Sequence, residues 1–297
     1  MRSHHKNFKA QNADPQPALS RDMAPLPENF GPVFFKNQFR TRIELPTKEK
    51  YPDVQGECAI VTGSNTGLGF ESAKQLLALG LSHLVMGVRS LEKGKDSIQT
   101  FVQKCQANLS LIDMVILNAG LAPLVFTTIP ATGHEKTIQV NHISTVLHAI
   151  TSIPVLKSKT DGKNVPRLTI VNSVTAHLCK FPNKDKRPLL APFDNTAITP
   201  WDPEERYGVS KLLCQLFIVK LAEHVDSDVI INMVDPGLTK GTALARDTKG
   251  AIAVAAKLIF TVAGRPVAAG AATYVDAALG HGKESHGCFL MNWNISP

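Results

Sequence analysis

From Cys58 onward, short apolar runs alternate with longer segments of mixed polarity. CAIVTG (58–63), LVMGV (84–88), MVILNAG (114–120), RLTIVNSV (167–174) and VIINMVDPG (229–237) are largely apolar at consecutive positions, as strands buried on both faces are. Between them lie four segments with helical spacing: ESAKQLLALG (71–80), closed by Gly80; DSIQTFVQKC (96–105); HEKTIQVNHISTVLHAITSIPVLKS (134–158); and YGVSKLLCQLFIVKLAEHV (207–225). This alternation predicts an α/β fold, a doubly wound parallel sheet with helices on both faces, in one domain over 55–297. Residues 1–54 read as an N-terminal arm, partly disordered. Positions 1–29 are polar and broken by prolines, whereas FGPVFFKNQFRTRIELPT (30–47) is apolar enough to pack against the domain.

Composition narrows the class. Hydrophobic residues at 43% and charged residues at 19% of 297 describe a globular chain with a sizeable core. No apolar run is long enough to span a bilayer; AIAVAAKLIFTVAG (251–264) holds a lysine and reads as a helix on a core or over a pocket. The N-terminus has no apolar signal region. The five scattered cysteines lack metal-ligand spacing and read as reduced thiols, so the expected location is cytoplasmic and no metal is expected. The net charge is +7, and residues 1–50 carry nine Lys/Arg against five Asp/Glu. Without a recognition motif this basic arm does not predict a nucleic-acid partner. The oligomeric state is open, a homo-oligomer included.

Two constellations carry chemistry. VTGSNTGLGFE sets Gly63, Gly67, Leu68 and Gly69 where the first strand passes into the first helix. Such a turn lets backbone approach a phosphate pair that side chains would hold off, and the helix start offers free N–H donors. Tyr207 and Lys211 stand four apart, on one face of a helix. An ammonium beside a phenol favours the phenolate, bringing a group that titrates near ~10 towards use as an acid or base. Ser173 ends a strand; alone it reads as a turn cap, and with Tyr207 downstream it gains a catalytic reading.

TGSNTGLG, NAG (118–120), Asn141 in QVNHIS, Ser173, YGVSK and DPG (235–237) occur in this order. Together, over roughly residues 55–295, they closely resemble the short-chain dehydrogenase/reductase family, with its Rossmann-like sheet. MGVRS and NSVTAH look like the retinol-dehydrogenase-like branch, and the lead-in 30–47 looks like reductases of fungal secondary-metabolite clusters. The resemblance implies interconversion of a ketone and a secondary alcohol, with a small carbonyl or alcohol substrate from polyketide, terpenoid or mycotoxin biosynthesis. It gives Tyr207 the proton transfer at the substrate oxygen. Lys211 would lower the Tyr207 pKa and hold the nicotinamide ribose, Ser173 would bond the substrate oxygen, and Asn141 would seat a relay water. It places Asn118 on the adenosine side and turns the loop after Gly237 to the nicotinamide carboxamide. That loop holds Thr239 and Thr242, with glycine at the family's usual threonine position.

Arg89 bears on cofactor choice. An acid at the end of the second strand would bind a ribose 2′-hydroxyl; this chain has arginine, which can hold a 2′-phosphate, so NADP (NADPH) is expected. Arg89 and Ser97 are only eight positions apart, and a helical crossover alone needs at least ~10–12 residues. Roughly two dozen residues of the family layout, a crossover helix and a third strand, are therefore expected to be missing. Relative to the family, the C-terminus is also short. The competing reading is a non-catalytic or impaired relic or regulator that keeps the fold.

Overall fold

The computed structural model describes residues 19–51, 54–88, 98–242 and 262–297. Arg89, Lys95, Asp96 and most of 251–264 lie outside them. Seven strands form one sheet: β1 Cys58–Thr62, β2 His83–Gly87, β3 Met114–Leu117, β4 Arg167–Val171, β5 Ile230–Asp235, β6 Phe289–Met291 and β7 Asn294–Ser296. Their order is β2-β1-β3-β4-β5-β6-β7, parallel throughout except for the antiparallel β6–β7 pair. The helices are α1 Gly31–Phe35, α2 Gly67–Leu79, α3 Ile98–Asn108, the single turn α4 Lys136–Ile138, α5 Thr145–Ser158, α6 Pro203–Ala222 and α7 Val267–Leu279.

Alternate strand residues feed two cores, as a period of two dictates. Ile60, Val115, Leu117, Leu168, Ile170, Ile231 and Met233 face one way, against residues of α3, α5 and α6. Ala59, Val61, Met114, Ile116 and Val234 face the other, against α2 and α7. Apolar burial on both faces explains why these strands read as unbroken apolar runs.

β2 is an edge, and among the described residues no strand lies beyond it. Every residue of β1, β3 and β5 is buried, whereas β2 is buried nowhere; Met86 is 40% exposed and Val88, just after it, 48%. The expected omission of the third strand agrees with this edge.

Two expectations are corrected. The arm is not loose over 19–29: Ser20 Oγ accepts a hydrogen bond from Phe289 N at 2.8 Å, and Leu26 packs on the core. The arm's other end is anchored by Tyr51, buried, donating to Asp276 Oδ1 at 2.8 Å. The single helix expected over 134–158 is α4 and α5 joined by a π-helical stretch, Gln139–Ser144; such widened turns recur at functional sites. After β5 the fold continues through α7, β6 and β7.

Candidate active site

The site is assembled at the carboxyl ends of β1, β3, β4 and β5, where an open parallel sheet presents its loops. At the end of β1, Gly63 and Gly67 have φ of 64° and 60°, left-handed values that favour glycine. A Cβ on Gly69 would stand 2.4 Å from Asn118 Nδ2 and 2.7 Å from Gly63 O, so the third glycine is required by packing. Thr66, at the N-cap of α2, is extended and makes no side-chain cap bond, which leaves the first amides of α2 free of that partner. Leu68 and Thr239 both crowd Gly270 of α7, where a Cβ would come within 2.5 Å of Thr239 Oγ1 and 2.7 Å of Leu68 Cδ2. Gly63 N donates to Gly87 O at 2.7 Å, so the glycine turn abuts the end of β2, two residues before Arg89.

Asn118 serves the turn from beneath. Its Nδ2 donates to Thr62 O and Gly63 O at 2.9 and 3.1 Å, and its Oδ1 accepts from the Tyr274 hydroxyl at 3.1 Å. The side chain is thus committed to shaping the glycine turn. Thr239 is likewise internal: it is 3% exposed, and its hydroxyl donates back to Gly237 O at 3.1 Å.

Ser173 follows β4 and caps the short helix Val174–His177. Its Oγ accepts from Thr175 N at 3.3 Å and from Thr175 Oγ1 at 3.0 Å. With both acceptor positions taken, its one proton is available to the neighbouring Tyr207, whose phenol it draws down. Tyr207 and Lys211 lie on α6, one turn apart, with Nζ 5.8 Å from the Tyr207 ring centroid. Lys211 is buried and donates to Val171 O at 2.9 Å. Asn141 sits in the π-helical stretch, buried; its Nδ2 donates to Leu121 O at 2.9 Å and Ser210 Oγ at 3.0 Å, and its Oδ1 accepts from Leu121 N at 3.0 Å. A Cβ on Gly120 would lie 3.3 Å from Asn141 Oδ1 and 3.7 Å from Lys211 Nζ, so Gly120 lets Asn141 and Lys211 flank one narrow point.

The electrostatics differ from what the Tyr–Lys spacing implied. Burial pushes the Tyr207 phenol up, and the charge of Asp235 pushes it further; the opposing influence is the Ser173 hydrogen bond, not Lys211. Burial also draws Lys211 down, against Cys214 and Asp235. Lys211 spends a hydrogen bond on Val171 O, which holds it as a fixed donor beside the site.

Several residues around the site have no signal in the sequence. Thr175 is visible only as the T of SVT. Arg206, next to Tyr207, is 3% exposed; its Nη1 donates to Phe193 O at 2.9 Å and lies 3.3 Å from Glu135 Oε2. Glu135, fully buried, accepts from Thr137 N and Ile138 N at 2.7 and 3.0 Å. Gln38, on the arm, donates to Leu238 O and Ala263 O at 2.7 and 2.8 Å. Among the described residues no His/Cys/Asp/Glu cluster suits a metal ion, and no helix is long and apolar enough to cross a membrane.

Comparison with known proteins decides the family. The chain is 43% identical over 305 positions to the short chain dehydrogenase/reductase mfmJ of Annulohypoxylon moriforme, covering 94% of this chain and 88% of that one. It belongs to the short-chain dehydrogenase/reductases. The short chain dehydrogenase virL of Hypocrea virens is 39% identical, covering 89% of this chain and 83% of that one. The first alignment is longer than the 297 residues of this chain, so it carries gaps on this side. No family model matches. Among solved structures, landomycin C-6 ketoreductase LanV shares the fold with a TM-score of 0.53 and 16% identity, covering 81% of this chain and 96% of that one. A Burkholderia cenocepacia short chain dehydrogenase scores 0.55 at 18% identity, covering 80% and 96%.

Proposed function

We propose that this short-chain dehydrogenase/reductase reduces a ketone to a secondary alcohol with NADPH, the reverse oxidation being open to the same site. The observation that carries this reading is the Ser173 hydroxyl, held by Thr175 and set beside Tyr207, with Lys211 one turn along α6. Two donors, Ser173 and Tyr207, would then serve one carbonyl oxygen.

The glycine turn fits a dinucleotide: positive φ at Gly63 and Gly67, no room for a Cβ at Gly69, and an α2 N-terminus without a side-chain cap. Gly63, Gly67, Leu68 and Gly69 would hold its phosphates, and Lys211 and Tyr207 its nicotinamide ribose. Asn118 would act by stiffening the turn, and Thr239 by shaping the loop over the nicotinamide. NADPH, when bound, supplies the hydride. Tyr207 supplies the proton to the carbonyl oxygen, Ser173 donates a hydrogen bond to it, and Lys211 returns a proton to Tyr207 along a path that Asn141 borders. Arg89 supports the phosphorylated cofactor from the sequence alone. LanV was crystallised with NADP and rabelomycin, and the Burkholderia protein with NADP. With fungal relatives, these favour a polyketide or terpenoid ketone as substrate.

A second reading, a cofactor-binding protein without turnover, draws on the exposed β2 edge. One experiment separates the two: NADPH oxidation over a panel of polycyclic aromatic ketones, by the unmodified chain and by Tyr207→Phe. Turnover lost in the variant supports the reductase. NADPH binding without turnover on any ketone or alcohol supports the second reading.

A further inference from the structure

The arm is seated on the domain with its polar side chains inward. Helix α1, Gly31–Phe35, runs on into a π-helical turn, Lys36–Arg40. Asn37 Nδ2 donates to Met291 Sδ at 3.3 Å, and Asn37 O accepts from Arg265 Nη2 at 2.8 Å. Gln38 Nε2 donates to Leu238 O and Ala263 O at 2.7 and 2.8 Å. These bonds fix which side of the turn faces out, and it is the aromatic side. Phe35 and Phe39 are 51% and 50% exposed, and Ile43 and Leu45, further along, 45% and 52%. The Phe35 and Phe39 rings stand with centroids 5.2 Å apart, and Phe34 meets Phe39 edge-on at 6.3 Å. A surface helix ordinarily turns its apolar side in and its polar side out; this element is inverted. Apolar side chains exposed singly are normal, but paired rings held outward by hydrogen bonds mark an interaction surface.

The charges around these rings have one sign. FGPVFFKNQFRTRI (30–43) holds Lys36, Arg40 and Arg42 and no Asp or Glu. All three cations are exposed, and the Arg40 guanidinium lies 5.4 Å over the Phe35 ring. Glu44, the first acid beyond them, is held by Lys50.

We propose that this face of the arm is a docking surface for an anionic lipid bilayer, on which the protein lies without spanning it. Phe35, Phe39, Ile43 and Leu45 enter the headgroup boundary, and Lys36, Arg40 and Arg42 meet the lipid phosphates and carboxylates. Aromatic rings favour that boundary, and cations beside an apolar face are drawn to anionic lipid. A protein partner would need its own apolar centre ringed by acids, whereas an anionic bilayer offers an apolar layer under a sheet of negative charge. Docking needs no turnover, so the inference stands apart from the reductase reading.

The test is co-sedimentation of the full chain with vesicles of phosphatidylcholine, with and without phosphatidylserine, at low and raised salt. Binding is expected with phosphatidylserine, at least ~10-fold weaker without it, and falling as salt rises. Phe35→Ser with Phe39→Ser, and separately Arg40→Gln with Arg42→Gln, are each expected to weaken it by a similar factor. The melting temperature should stay near the parent value, because the substituted side chains are exposed. Phe39→Trp is expected to keep binding and, with the parent emission subtracted, to show a blue-shifted indole on vesicles. Binding that survives loss of both phenylalanines, or an unshifted indole on the bound chain, overturns the proposal, since charge elsewhere on this basic chain then carries the attraction. Absence of binding to phosphatidylserine vesicles overturns it as well. Self-association without vesicle binding, abolished by the same phenylalanine pair, would make the face a contact between copies of the chain instead.

Discussion

At the scale of single residues, the site is a set of hydroxyls whose protons have few places to go. Thr175 saturates Ser173 as an acceptor, so the Ser173 proton is aimed at Tyr207 or at a substrate oxygen. Tyr207→Phe is expected to remove turnover, by at least ~100-fold, while leaving NADPH affinity nearly unchanged; steady-state rates and a binding titration check it. Thr175→Val frees the Ser173 rotor and is expected to lower kcat several-fold with little change in cofactor binding. Ser173, Tyr207, Lys211 and Asn141 were legible in the sequence because each sits in a short local pattern, above all a tyrosine and a lysine one helical turn apart. Asp235 was visible as part of DPG, but its two amide partners, Val174 and Gly237, come from different loops. Arg265 lies far along the chain from Asp235 and Asn37, and no spacing rule reaches that far. The upward influence of Asp235 on Tyr207 has no signal in the sequence for the same reason: the lysine is near along the chain, and the carboxylate is not.

At the scale of elements, what positions α6 is a buried ion pair. Glu135 caps α4 and meets Arg206, the residue before Tyr207, while the Arg206 guanidinium stacks 4.8 Å from the Phe193 centroid and 5.2 Å from that of Trp201. Losing one partner leaves a buried charge alone, so Glu135→Ala is expected to cost about 3–5 kcal/mol in denaturant unfolding. The arm and the loop after β5 are joined by Gln38, which bonds both Leu238 and Ala263 carbonyls. Gln38→Ala is expected to raise the KM for cofactor or ketone more than it lowers kcat, a split that steady-state kinetics reads directly. The π-helical stretch and α5 carry His142 and His148, which burial holds down at about 4. Both are therefore neutral in the folded chain where an unfolded histidine begins to charge. Their contribution to stability is complete above pH ~6.5 and is lost as pH falls towards about 4. Melting temperature against pH should show that fall, and His142→Asn with His148→Leu should flatten it. Strands β1–β5 could be read from their apolar runs. β6 and β7, three residues each, are too short to show a period, and α7 is buried at every position from Ala269 to Leu279, so it has no polar face to mark it as a helix.

At the scale of the whole molecule, the sheet ends in the antiparallel β6–β7 pair at one edge and, among the described residues, is open at β2 at the other. An unpaired edge with half-exposed apolar residues is a template for association, and the pocket beside the glycine turn loses whatever a further strand would have added. Inserting a family-like crossover and strand between Lys95 and Asp96 is therefore expected to reduce aggregation, seen by light scattering, and to tighten NADPH binding. On the proposed function, the shortened chain still holds NADPH in a working site. Binding to the folded state alone raises the melting temperature in step with ligand concentration over Kd, so a thermal-melt titration of the unmodified chain tests it most directly. A saturable rise with NADPH is expected, smaller with NADH, and retained in Tyr207→Phe. No rise at any NADPH concentration, with a rise restored only by the inserted strand, would contradict it.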